Sequence, residues 1–118
     1  MAEKAIAYAQ ANGKDKLIAE VNAKNPDFAK GELYIVVASL DGMRLAHGAN
    51  AKLVGKSLLE IQDVDGKAYG KEMVTVIQTK GKGWVDYKFK NPANGKIEPK
   101  TSYVVKAGDF FLIAGIYK

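Results

Sequence analysis

The chain has no cysteine, one histidine and a single arginine among its 118 residues. Without cysteine there is no disulfide and no thiolate nucleophile, and a chain of this length can hold a core without either. Cysteine usage therefore leaves the compartment open. One histidine cannot provide the several His or Cys ligands that zinc takes, so metal catalysis is not expected and no metal or cofactor is assigned. The net charge of +5 comes from lysines spread along the chain. Nucleic-acid readers cluster their cations and use arginine for bidentate contacts to bases, so no nucleic-acid partner is expected. No apolar run reaches the ~18 residues of a membrane span, and the N-terminus lacks a signal-peptide apolar core.

What is present centres on the stretch from Gly31 to Gly48. An apolar, β-branched run from Leu33 to Leu40 is followed by Asp41-Gly42 and a second short run ending at His47. Asp-Gly between two such runs predicts a hairpin with a type I′ turn, because both central residues of that turn need φ > 0. Pairing across a two-residue loop sets Val36 opposite His47, Val37 opposite Ala46, Ala38 opposite Leu45 and Ser39 opposite Arg44. Alternation then places Arg44 and His47 on opposite faces. Both faces are largely apolar, which puts the hairpin inside a layered domain with helices on at least one face of a larger sheet.

Along the chain, Ala2–Ala11 and Lys14–Ala23 have narrow, alanine-rich apolar stripes at helical spacing, separated by Asn12-Gly13 and closed by Asn25-Pro26. Phe28 is expected to pin the linker before the hairpin. Ala49 to Asp65 is a long connection with a helical turn through Leu58 and Ile61. Gly66–Lys80 reads as a helix with Tyr69, Met73, Val76 and Ile77 on one face and Gly81 as its C-cap. Trp84–Phe89, Thr101–Lys106 and Phe110–Tyr117 read as three further strands. The sum is one domain over residues 1–118, of α+β class: a PAS-like or profilin-like five-stranded antiparallel sheet, with the N-terminal helices packed on one face and short helices on the other.

The candidate chemical motifs fail on their own terms. Asp63-Val64-Asp65-Gly66 with Glu72 matches the later part of a calcium loop, but Ile61 occupies the first ligand position, so the segment is expected to be an ordinary turn before the helix. Gly81-Lys82-Gly83 is too short for a phosphate loop and lacks its Ser/Thr. No serine sits in a GxSxG context, and His47 would be the only base. No paired acid and base is visible, and an enzyme is not expected.

The segments LYIVVASLDGMRLAHGANAKLVGKSLLEIQDVDGKAYGKEMV and KGKGWVDYKFKNPANGKIEPKTSYVVKAGDFFLIAGIYK, after an N-terminal helical AIAYAQANGKDKLIAEVNAKNPDFAKG, resemble the single Cache domain family of bacterial extracytoplasmic sensors. The most specific blocks are Asp41-Gly42 with Ala46-His47, Leu53-Val54-Gly55-Lys56, Gly83 to Tyr87, Pro99-Lys100 with Ser102-Tyr103-Val104, and Gly115-Ile116-Tyr117. The resemblance implies a PAS-like sheet backed by a long N-terminal helix, with a small-molecule pocket on the opposite face. It also implies a periplasmic or extracytoplasmic location and a short carboxylate ligand such as acetate, propionate or pyruvate, sensed for signal transduction or chemotaxis. Many relatives have proline where this chain has Gly48, which is expected to loosen the strand exit.

Flanking transmembrane helices and an output domain are expected outside these residues if the chain is excised from a receptor; membrane association would then run through those helices. The alternative is a free-standing periplasmic binding protein or scavenger whose signal peptide is replaced by Met1. A homodimer through the N-terminal helix is the protein partner the resemblance admits, and a scaffold without a pocket is the third class. On the implied pocket, His47 and Tyr103 are expected to donate hydrogen bonds to the acid and Lys56 to bring positive charge. Trp84 or Tyr87 packs on the carbon chain, since alternation sends those two to opposite faces. A buried structural histidine, a core Tyr87 and a solvated Lys56 are the competing roles.

Overall fold

The computed structural model of the chain describes residues 2–30, 33–48, 51–91 and 94–117. Of the expected segments, Gly31, Ala49 and Pro92 lie outside these residues. Helices α1 (Ala2–Asn12) and α2 (Lys14–Asn22) are followed by strands β1 (Ala29–Lys30), β2 (Leu33–Ser39) and β3 (Arg44–His47). A connection containing a single 3-10 turn at Ala51–Leu53 leads to helix α3 (Tyr69–Lys80), and β4 (Lys82–Lys90), β5 (Ile97–Ala107) and β6 (Phe110–Tyr117) complete the chain. All strand pairs are antiparallel. The main sheet runs β3–β2–β6–β5–β4, and the two-residue β1 also pairs with β2. This is the expected α+β, PAS-like arrangement.

Period-two alternation divides the apolar residues between two helical layers. Ile35, Val37, Ala46 and Leu112 face α1 and α2, where Ala5, Leu17 and Val21 close one core. Phe28 is buried there, its ring centre 5.6 Å from that of Tyr8 in an edge-to-face arrangement, so it does pin the entry to the hairpin. Tyr34, Val36, Val85, Val104 and Ile113 face α3 and the connection, packing on Leu58, Met73 and Ile77. Gly13, at φ 95°, breaks the N-terminal helical layer into two helices. Gly81, at φ 78°, ends α3, its N–H donating to Val76 and Ile77 carbonyls at 3.1 Å.

The hairpin departs from the expected turn. Gly42 has φ 95°, but among the described residues the only non-glycine with positive φ is Lys24, so Asp41 does not take the type I′ conformation. Instead Gly42 N–H donates to Ser39 O (2.9 Å) and Ser39 N–H to Met43 O (2.9 Å), a three-residue loop with glycine at its left-handed position. The Ser39 hydroxyl bonds to the Asp41 carboxylate, and Met43 N–H donates to Ser39 Oγ at 3.0 Å. The loop shifts the register by one, so Ala38 pairs with Arg44. A β-bulge then skips Leu45 and restores the expected Val37–Ala46 and Val36–His47 pairs.

Asp63 to Gly66 is the turn the sequence predicts. Asp63 Oδ1 accepts from the N–H groups of Asp65 (2.9 Å) and Lys67 (3.0 Å). The same turn covers the edge of β4. Asp63 Oδ2 accepts from Lys88 N–H (3.2 Å), the Lys67 ammonium donates to the Asp86 carbonyl, and Asp65 pairs with the Lys88 ammonium (2.8 Å). Those bonds occupy backbone groups that would otherwise template a foreign strand.

Candidate ligand-binding site

Between the sheet and the α3 layer lies a cavity of about 20 Å³, little more than the space one water needs. Its floor is Tyr34 and Val36 of β2, Tyr87 and Phe89 of β4, Lys100 of β5, and Ile113 and Gly115 of β6. Leu58 and Ile61 of the connection and Tyr69 and Met73 of α3 form the roof, and Arg44 and His47 of β3 close one side. Among the described residues that line it there is no Asp or Glu. A wider groove of about 400 Å³ lies between α1 and the β5–β6 turn. Its polar residues, Gln10 and Lys106, are exposed. Of these two, and among the described residues, the first alone has buried charged and polar side chains in its wall, the arrangement that marks a small-molecule site.

Arg44, His47 and Lys100 are 5%, 3% and 3% exposed. Arg44 reaches this wall because of the bulge: three residues apart on a regular strand, Arg44 and His47 would point to opposite faces, and the extra residue returns both to the α3 side. The expectation that Arg44 faces away from His47 is thereby corrected. Arg44 Nε donates to the Lys56 carbonyl at 3.2 Å. Burial lowers its pKa, opposed by Tyr69, but a guanidinium keeps its proton.

Lys100 Nζ donates to Tyr34 Oη at 2.8 Å and stands 4.2 Å from the centre of the Tyr34 ring and 4.8 Å from that of Phe89. Burial pulls its pKa down to about 7. His47, with its ring 5.0 Å from that of Tyr34, is pushed down to about 3, first by burial and then by the charges of Lys100, Arg44 and Lys24. At neutral pH it is an uncharged imidazole, with one N–H to donate.

The remaining wall is aromatic. Tyr69 and Tyr87 stack at 4.1 Å with an interplanar angle of 5°, and the Tyr87 hydroxyl shares a 2.8 Å hydrogen bond with Ser102 Oγ. Among the described residues every buried side-chain nitrogen or oxygen has a partner. A ligand therefore enters by exchanging internal hydrogen bonds for its own.

Of the residues singled out from sequence, His47 and Tyr87 come together in this cavity. Trp84 and Tyr103 do not. They are cross-strand partners with rings 5.3 Å apart on the other face of the sheet, where Trp84 is 62% exposed and Tyr103 packs at the margin of the α1–α2 core. The Lys56 side chain is exposed, and what that residue contributes is its carbonyl. Gly48 does not loosen the strand exit: its N–H donates to Ile35 O at 3.0 Å, a bond proline could not make. Tyr34, Arg44, Tyr69 and Lys100 also line the cavity and were not among the residues singled out. Lys100 stood just ahead of the expected strand Thr101–Lys106, where a lysine reads as surface; the strand begins earlier, at Ile97.

Residues 4–117 match the family model described as Single Cache domain 2. Over 86 residues, 71% of this chain, the sequence is 31% identical to the methyl-accepting chemotaxis protein McpP of Pseudomonas putida, and that stretch is 16% of the receptor's length. Among solved structures, a methyl-accepting chemotaxis protein of Vibrio parahaemolyticus superposes with a TM-score of 0.83 at 18% identity, covering 98% of this chain and 82% of the other. A structure described as showing carboxylic acid recognition by a Cache chemosensory domain has a TM-score of 0.76 at 26% identity, with 98% and 82% covered. A periplasmic sensor domain of a chemotaxis protein has a TM-score of 0.77 at 24% identity, with 98% and 84% covered.

Proposed function

The chain belongs to the single Cache domain family, a family of extracytoplasmic sensor domains, and we propose that it binds a short monocarboxylate of the size of acetate, propionate or pyruvate. The observation that carries this reading is the burial of Arg44 and Lys100 in the wall of one small aromatic cavity. A buried cation costs several kcal/mol in desolvation, and an anion at the same site offsets it. A carboxylate has two oxygens for the guanidinium and the ammonium to share. Charge-assisted bonds of this kind contribute about 1.5–3 kcal/mol each. The Tyr34 hydroxyl and the His47 N–H complete the donor set, while Leu58, Ile61 and Met73 offer apolar surface to a carbon chain of two or three atoms. Even a short acid needs more room than this cavity of about 20 Å³ offers, so the roof must move to admit it, and a longer chain would have to displace the roof further.

In this reading the domain is the input module of a receptor, and signalling belongs to segments beyond the residues described. Calorimetry with acetate, propionate, pyruvate and lactate tests it, with propionamide as the uncharged counterpart of propionate. An acid should bind, and propionamide should bind at least about tenfold more weakly, the loss of one charge-assisted bond. Equal binding of propionate and propionamide would show that the cations do not select for charge.

A further inference from the structure

The Lys100 ammonium lies two strands away from its own backbone. Lys100 belongs to β5, its hydroxyl partner Tyr34 to β2, and β6 runs between them. Neighbouring strands are about 4.7–4.9 Å apart, so the lysine stem must lie flat across β6 to reach the Tyr34 hydroxyl at all. The residue beneath it is Gly115. Gly115 pairs with Ser102, and the neighbouring Ala114 pairs with Ile35 and Tyr103, which puts position 115 on the line from Lys100 to Tyr34.

A Cβ built on Gly115 would fall closer than 3.0 Å to Lys100 Cε and to Ser102 Oγ, and 3.1 Å from Lys100 Nζ. The backbone is not the reason for glycine here, since Gly115 is absent from the positive-φ glycines. From this geometry we infer that Gly115 is a positioning residue of the binding site: the missing side chain is the channel through which Lys100 delivers its ammonium to the cavity. The inference rests on the carboxylate reading for its ligand consequences, but the geometric claim about Lys100 is independent of any ligand. In Gly115→Ala the added methyl meets side chains rather than backbone, the flexible end of Lys100 and the buried Ser102 hydroxyl, so the fold survives by turning Lys100 away and rotating the Ser102 hydroxyl off its bond to Tyr87.

Two measurements on the full chain test this. The first follows the Lys100 side-chain carbons by NMR against pH in wild type and Gly115→Ala, with Lys100→Met assigning the signal. Displacement from the buried site should move the Lys100 midpoint from about 7 up toward the ordinary lysine value of 10.5, whereas a merely structural effect of the methyl would leave it in place. An unchanged midpoint in a folded Gly115→Ala protein overturns the inference, whether or not any acid binds.

The second is propionate calorimetry on Gly115→Ala, Lys100→Met and the double variant. Each single variant should lose at least about tenfold in affinity, and the double variant should lose no more than about twofold beyond Lys100→Met, because two changes acting through one group are not additive. Additive losses overturn it as well. Failure of wild type to bind propionate counts against the carboxylate reading and leaves the NMR test to decide the role of Gly115.

Discussion

Replacing Lys100 by methionine should stabilise the fold while weakening acid binding at least about tenfold. The stem is kept at similar length and the buried ammonium is removed. Holding a lysine whose pKa has fallen from 10.5 to about 7 corresponds to roughly 5 kcal/mol of unfavourable folding free energy at neutral pH, at about 1.36 kcal/mol per pH unit. Attraction to the Tyr34 and Phe89 rings and the bond to Tyr34 return part of that. A net gain of about 2 kcal/mol for Lys100→Met is therefore expected near pH 7. The pH dependence carries the sharper test. The unfolded chain keeps this lysine protonated up to 10.5, while the folded chain releases the proton above about 7. Between those values the unfolded state binds more protons, so wild-type stability rises with pH relative to the variant. Urea unfolding followed by circular dichroism, in buffers free of carboxylates, should show the gap closing by about 1.4 kcal/mol per pH unit above pH 7. A gap that stays constant with pH, or a variant less stable than wild type at neutral pH, would refute the burial argument.

The other expectations concern the same site and its supports. His47, held near 3 against an ordinary 6.5, keeps its full stabilising contribution above about pH 6.5 and loses it at about 1.4 kcal/mol per pH unit on acidification; His47→Gln should flatten the stability profile between about pH 6.5 and 4.5, and an unchanged slope there would mean that the imidazole titrates normally in the fold. Tyr103→Phe should leave propionate affinity within about twofold of wild type, because that ring lies across the sheet from the cavity; a large loss in calorimetry would move the site to the other face. Gly70→Ala should destabilise by at least about 2 kcal/mol, since a Cβ there would fall closer than 3.0 Å to the Leu58 carbonyl oxygen where α3 meets the connection. A thermal midpoint within a degree of wild type would show that this contact yields easily.

The layers of the fold were legible because apolar periodicity is a local signal. Leu17 and Val21 recur at helical spacing, and β2 alternates between Tyr34–Val36–Ala38 and Ile35–Val37, so each set could be assigned to a face without knowledge of its partner. The site was less legible for two physical reasons. A register that is one residue off over part of its length inverts the faces, and the Asp41-Gly42 signal pointed to a two-residue turn where Ser39 and Gly42 build a three-residue one. Trp84 and Tyr103 drew notice as aromatic residues on strands, yet aromatic content does not say which face of a strand is covered. Lys100 was passed over for the opposite reason. A lysine in a basic chain reads as surface until the sheet shows that the position beside it is glycine.

The bulge that brings Arg44 to the cavity also decides how the two helical layers are joined. A bulge leaves its extra residue outside the strand ladder, and an unbonded carbonyl there would be costly if buried. The Leu45 carbonyl instead accepts from Asn22 Nδ2 at 3.4 Å, while Asn22 Oδ1 accepts from the His47 N–H at 3.2 Å. Asn22 is the last residue of α2. One amide side chain thus ties the end of the helical layer behind the sheet to the short strand whose other face presents Arg44 and His47. β3 has only four residues; it pairs with β2 on one side, and on the other Arg44 N–H donates to Lys56 O (3.1 Å) and Arg44 O accepts from Gly55 N–H (2.7 Å), so a shift of β3 carries this part of the connection with it. A carboxylate that drew Arg44 inward would be felt by the Leu45 carbonyl one residue away, and through Asn22 by the C-terminal end of α2. The same irregularity that places a cation in the wall of the cavity therefore leaves a carbonyl that is hydrogen-bonded to the end of the helical layer on the opposite face.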